Sequence, residues 1–162
     1  MVNLRAPIML ARLLAPALTA RGSGHLVFVS SLSGKAAGPH SSVYSATKFG
    51  LRGFSLGLRQ DLAEHGVGVS CVFPGFIRDA GMFADSGAAL PPGVGTSTPE
   101  EVAAGIIRAI ERDRAEVDVA PLALKAGATL GGLAPGLTAS VQSRLGSFKI
   151  ARAIGAGQRD KR

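Results

Sequence analysis

His25-Leu26-Val27-Phe28-Val29-Ser30 and Val67-Gly68-Val69-Ser70-Cys71-Val72-Phe73 are two short, nearly continuous apolar runs. Between them lies a longer segment with apolar residues at Phe49, Leu51, Phe54, Leu58 and Leu62, the spacing of a helix face. Strands without polar alternation suit a sheet buried on both faces, which is the setting of parallel strands. Two such strands joined through a helix read as a β–α–β unit.

The flanks extend the pattern. Ile8, Met9, Leu13, Leu14 and Leu18 give residues 4–20 a helical period, ended by Gly22-Ser23-Gly24. Ser41 or Ser42 can cap the middle helix, which runs to Gly66. Pro74-Gly75 stops the second strand, and residues 76–98 show glycines and prolines without a period, as a mobile loop would. Thr98-Pro99-Glu100-Glu101 is a strong helix start, with a hydroxyl cap, a proline in the first turn and acids at the positive end of the dipole. Glu116 to Ala120 reads as a third strand. The order predicts an α/β fold: a partial doubly wound, Rossmann-like parallel sheet of about three strands with flanking helices and right-handed crossovers. Residues 1–120 form that domain.

Residues 121–162 differ. They hold seven of the 18 Lys/Arg and one of the 11 Asp/Glu, so most of the chain's +7 charge lies there. Glycines break up the stretch from Pro121, and residues 140–154 have the spacing of a basic amphipathic helix. The expectation is a basic, partly helical C-terminal extension, with a weak case for contact with a membrane surface. The near-neutral first 120 residues argue against nucleic acid as a partner. A lone cysteine, Cys71, excludes an internal disulfide, and its apolar setting reads as a buried structural thiol. His25, His40 and His65 lack metal-ligand spacing. Arg12, Pro7 and Pro16 interrupt the N-terminal apolar stretch, so it reads as a helix of a cytoplasmic protein rather than a secretory signal.

The chain has one tyrosine, Tyr44, and Lys48 follows it by one helical turn. A nearby ammonium favours the phenolate and would pull the phenol pKa down from about 10. Ser31 ends the first strand 13 residues before Tyr44, at the strand end where α/β folds hold ligands. Pro74-Gly75-Phe76-Ile77 follows the next strand, and Asn3 precedes Ser31 by 28 residues.

Asn3, Gly24, the run Val27-Phe28-Val29-Ser30-Ser31, Tyr44-Ser45-Ala46-Thr47-Lys48 and Pro74-Gly75 together resemble the short-chain dehydrogenase/reductase family, over about residues 1–120. The resemblance implies an oxidoreductase that moves a hydride between NAD or NADP and a secondary alcohol or ketone. It implies Tyr44 as general acid–base, Ser31 as the hydrogen-bond donor to the substrate oxygen, Lys48 as the partner of Tyr44 and of the nicotinamide ribose, and Asn3 as holder of a relay water. Pro74, Gly75 and Ile77 would pack beside the nicotinamide. It further implies a homodimer or tetramer through the first and middle helices. The loop residues 32–40 and 76–98 carry few polar anchors, which favours a hydrophobic substrate.

Two departures stand out. Asp79 occupies a position where many family members have a cofactor-touching threonine. The family's opening Gly-x-x-x-Gly-x-Gly turn has no counterpart here, and Gly22-x-Gly24 precedes a strand instead of following one. The expectation is the carboxyl-terminal, catalytic portion of a dehydrogenase that alone binds cofactor weakly or not at all. The alternative is a non-catalytic fragment that dimerises through its two helices.

Overall fold

The computed structural model describes residues 2–91 and 94–136, with Arg152. The element order is α1 (Arg5–Arg21), β1 (Gly24–Val29), α2 (Ser42–Leu62), β2 (Val67–Pro74), α3 (Gly81–Ala84), α4 (Pro99–Glu111), β3 (Glu116–Val119) and α5 (Leu122–Leu133), with 3-10 turns at Leu32–Gly34 and Ala63–His65. The basic segment expected to be helical over 140–154 lies, but for Arg152, outside the described residues.

The three strands form one parallel sheet in the order β1-β2-β3, with Phe28 opposite Cys71 and Cys71 opposite Glu116. Alternation along the strands sorts the side chains into two cores. Phe28, Val69, Cys71 and Phe73 face α1 and α2, where they meet Ala11, Leu51 and Leu62. Val27, Val72, Val117 and Val119 face the other way, against Val102, Ile106 and Ala109 of α4. Fully burying such apolar side chains stabilises by about 1.5–3 kcal/mol each, and this double burial explains why the strands read as unbroken apolar runs.

The sequence correctly predicts three parallel strands between helix layers, but not the hand of both crossovers. The chain steps from β1 to β2 to β3 in one direction, once across the α2 face and once across the α4 face. Two such steps on opposite faces must have opposite hands. One of them therefore departs from the right-handed preference.

Local signals hold at α4. Thr98 Oγ1 accepts from the Glu101 amide at 3.1 Å and the Glu101 carboxylate accepts from the Thr98 amide at 2.8 Å, a complete capping box. At α2 the expected serine cap is not made. Ser41 stands at the cap position, but its hydroxyl turns back to donate to the Gly38 carbonyl at 2.8 Å. The stretch 76–98 is not without structure: α3 lies within it, Ile77 bridges Ser97, and Phe76 stacks on Phe83 at 5.1 Å. Beyond Pro121, where glycines suggest a broken chain, α5 runs for 12 residues.

Candidate active site

Ser30 is the hinge between the sheet and the site. Its amide donates to the Val72 carbonyl at 2.8 Å, and its hydroxyl donates to the Lys48 carbonyl at 3.0 Å. The backbone then turns, so that Ser31 caps the 3-10 turn with its Oγ accepting from the Ser33 amide at 3.1 Å. Gly34 closes the turn against α2. A Cβ there would stand 2.8 Å from the Lys48 carbonyl oxygen, so the approach requires glycine.

This turn faces Tyr44 and Lys48 in the first turns of α2. The Ser31 hydroxyl lies beside the Tyr44 phenol and acts on its proton as a hydrogen-bonding neighbour. Lys48 lies with its ammonium 5.6 Å from the Tyr44 ring centroid, and it donates to the Val29 carbonyl at 3.1 Å. The sequence expectation for Tyr44 is corrected here. Burial, the larger influence, raises the phenol pKa, and the Ser31 hydrogen bond offsets only part of the rise. Tyr44 therefore holds its proton at neutral pH. Burial also lowers the Lys48 pKa, opposed only where Cys71 is in its thiolate form.

Asn3 is exposed in the turn before α1 and shares a cavity of about 330 Å³ with Val29 and Lys48. The structure thus brings Asn3 and Lys48 to one opening and sets Ser31 beside Tyr44. Pro74, Gly75 and Ile77 follow the carboxyl end of β2. Gly75 donates its amide to the Val119 carbonyl at 2.9 Å, and a Cβ on it would meet Ala120 at 2.9 Å and Leu32, the neighbour of Ser31, at 3.5 Å. Ile77 is held by its bridge to Ser97. Asp79 is exposed at positive φ, 3.5 Å from the Arg78 guanidinium.

The structure adds charged residues that sequence reasoning missed. Lys35 is buried, with Nζ 2.7 Å from Asp118 Oδ1 and 3.1 Å from Glu116 Oε2, and it sits 4.4 Å from the Phe73 ring centroid. Arg52, one turn after Lys48 on α2, forms a two-point pair with the Glu116 carboxylate. The available signal is Glu116-x-Asp118, two acids on one face of a strand whose other face is apolar.

At the opposite end of the sheet His25 Nε2 is 2.7 Å from Ser70 Oγ, and His25 Nδ1 is 4.0 Å from Asp113. This is no hydrolytic triad. Ser70 is fully buried and its hydroxyl donates to the Arg114 carbonyl at 2.5 Å, while the Arg59 guanidinium occupies both oxygens of the Asp113 carboxylate. Among the described residues no group of three or more His, Cys, Asp or Glu is placed to hold a metal ion.

A hydroxyl pair at the end of a parallel strand, backed by a lysine one turn along the helix, is a recurrent arrangement. A family model described as short chain dehydrogenase matches residues 1–90, the span holding all seven residues expected at the site. The chain belongs to the short-chain dehydrogenase family. It is 42% identical over 117 residues to the ketoacyl reductase HetN of Nostoc sp., a match covering 72% of this chain and 41% of that protein. The fold superposes on a short-chain dehydrogenase from Burkholderia cenocepacia in complex with NADP at TM-score 0.71 and 27% identity, covering 89% of this chain and 57% of the other. A 4-hydroxyisoleucine dehydrogenase complexed with NADH gives TM-score 0.60 and 26% identity, over 75% of this chain and 57% of that one. This short-chain dehydrogenase sequence spans less than half the length of the curated relatives it matches. Among the described residues no helix is long and apolar enough to cross a membrane.

Proposed function

We propose that this chain supplies the acid–base portion of an NAD(P)-dependent oxidoreductase acting on a secondary alcohol or ketone. The observation that carries this reading is the Ser31–Tyr44 hydroxyl pair at the carboxyl end of β1, with Lys48 packed behind it. A carbonyl oxygen between the two hydroxyls would receive hydrogen bonds from both. In the reducing direction Tyr44, protonated at neutral pH, gives its proton to that oxygen, and Ser31 stabilises the charge that develops there. In the oxidising direction Tyr44 takes the proton back.

The residues present fit the reactive end of a nicotinamide cofactor, which when bound supplies or accepts the hydride. An ammonium has three donors, and among the described residues Lys48 uses one, toward Val29. The others are open to a ribose hydroxyl or to a water held by Asn3. Pro74, Gly75 and Ile77 would line the nicotinamide side. Support for the cofactor class comes from the NADP and NADH complexes among the similar structures. The small, apolar lining of the loops at the same strand ends favours a hydrophobic substrate.

The test joins this chain to a strand–turn–helix bearing Gly-x-x-x-Gly-x-Gly and follows NADH or NADPH oxidation with hydrophobic ketones. Tyr44→Phe should lower kcat by about 10² to 10⁴-fold, the usual contribution of a positioned general acid, while cofactor affinity changes little. Turnover that survives the substitution would overturn the reading.

A second reading, a dimerising interaction fragment, is favoured by the exposure of Leu10, Leu13 and Leu14 on α1, at 59%, 71% and 51%. It requires a stable dimer by light scattering, lost on Leu13→Glu, with no quenching or enhancement of nicotinamide fluorescence. Leu122, Leu130 and Leu133 share an exposed face of α5, the described part of the basic extension, which supports attachment to an anionic membrane surface. Failure of anionic vesicles to retain the chain at low salt removes that idea.

A further inference from the structure

The turn that presents Ser31 is fixed at both ends. At its start Ser30 is tied to β2 and to α2 by the two bonds described above. Within it the Gly34 amide donates to the Ser31 carbonyl at 2.8 Å, and the Lys35 amide to the Leu32 carbonyl at 2.9 Å. At its end the Lys35 side chain reaches across the α2 face of the sheet to Glu116 and Asp118 of β3.

Two mostly buried carboxylates on one strand face repel each other unless a cation stands between them. Among the described residues Asp118 Oδ1 makes no aligned hydrogen bond, so the Lys35 ammonium 2.7 Å away is its compensation. Glu116 has a second cation in Arg52; among the described residues Asp118 has no such substitute. Any excursion of Lys35 from this place would leave a buried charge uncompensated, which is heavily disfavoured. Backbone follows side chain, because only three residues separate Lys35 from Ser31. Helix α5 also packs closely here: the Lys35 carbonyl oxygen lies 2.9 Å from where a Cβ on Gly132 would stand.

We propose that Lys35 is a positioning residue for Ser31: by docking on Glu116 and Asp118 it holds the 31–35 turn so that the Ser31 hydroxyl meets Tyr44. The importance of Ser31 rests on the function proposed above, but the geometry does not, and the two can fail separately. Lys35 touches neither reacting group, and its effect passes through the turn.

The lone tyrosine makes this measurable without cofactor or substrate. With no tryptophan and one tyrosine in the chain, tyrosinate absorbance reports Tyr44 alone. The experiment titrates Tyr44 in the 162-residue chain and in Ser31→Ala, Lys35→Met, Lys35→Arg and the Ser31→Ala/Lys35→Met pair, with circular dichroism confirming the fold at each pH. Ser31→Ala should raise the midpoint by removing the hydrogen bond. Lys35→Met should raise it as well, Lys35→Arg should restore it, and Lys35→Met should add nothing once Ser31 is alanine. Should Lys35→Met fail to fold, Asp118→Asn replaces it, with the same non-additivity expected. An unchanged midpoint in the folded variant overturns the proposal. So does an equal rise with and without Ser31, because the lysine would then act on Tyr44 by its charge and not through the turn.

Discussion

The Lys48 ammonium lies 5.6 Å from the centroid of the Tyr44 ring, yet Tyr44 keeps its proton more tightly than a free tyrosine. Burial of the phenol outweighs the hydrogen bond from Ser31. The native state therefore binds this proton better than the unfolded chain does. The resulting stability is present below a pH of about 10 and is lost as pH rises through the folded-state value. Thermal unfolding followed from neutral to alkaline pH should show this decline, and Tyr44→Phe should reduce its slope. Lys48, whose pKa burial lowers, acts in the opposite sense and at lower pH: its contribution improves as pH rises from its folded value to about 10.4, so Lys48→Met should remove a gain that precedes the decline.

Cys71 provides an independent check on the core beneath the site. Its side chain is fully buried, and burial pushes the thiol up to about 11, against partial relief from a hydrogen bond with Ser55. The thiolate is the reactive form, so native Cys71 should resist iodoacetamide at neutral pH. Labelling should become rapid in urea. Fast labelling of the native chain, read by mass spectrometry, would contradict this placement of β2.

Local pattern alone encodes much of the fold. The apolar runs at 25–30 and 67–73 mark two strands, and Thr98-Pro99-Glu100-Glu101 marks the α4 start. Tyr44, Lys48 and Ser31 are legible as a set because one strand end and one helix turn bring them together. The features that sequence does not reveal depend on distant partners. Helix α5 is obscured by Gly127, Gly131 and Gly132, but Gly131 is buried and Gly132 lets the helix rest on the Lys35 carbonyl, so packing overrides weak propensity there. Nothing near Lys35 in sequence marks it, because its partners lie about 80 residues further along the chain. The face taken by α4, and hence the hand of its crossover relative to that of α2, is likewise absent from any local window.

Gly105 tests how closely α4 sits on the sheet. A Cβ built there would stand 2.5 Å from Val119 Cγ2, a β-branched side chain with little freedom to move. Gly105→Ala gains about 1 kcal/mol of helix propensity but incurs about 1–3 kcal/mol of overpacking. Net destabilisation is the expected result in urea unfolding. Ala104→Gly, at an exposed neighbour, measures the propensity contribution alone; if Gly105→Ala stabilises by a similar amount, α4 is not seated as described.

Glu116 gives the acid side of the pH profile. Burial raises its pKa, but hydrogen bonds and charge from Arg52 and Lys35 outweigh burial and leave it below the ordinary glutamate value. A carboxylate depressed in the fold stabilises above its unfolded pKa of about 4.3 and ceases to do so as pH falls through the folded value. The chain should therefore lose stability on acidification below that point as the Lys35–Glu116–Arg52 network breaks. Glu116→Gln should be less stable at neutral pH, where it leaves Lys35 and Arg52 with one carboxylate fewer, and its stability should vary less with pH through the acid window. Melting temperatures measured from neutral pH downward would decide this: parallel profiles for wild type and Glu116→Gln would show that the network does not hold β3 to the Lys35 turn.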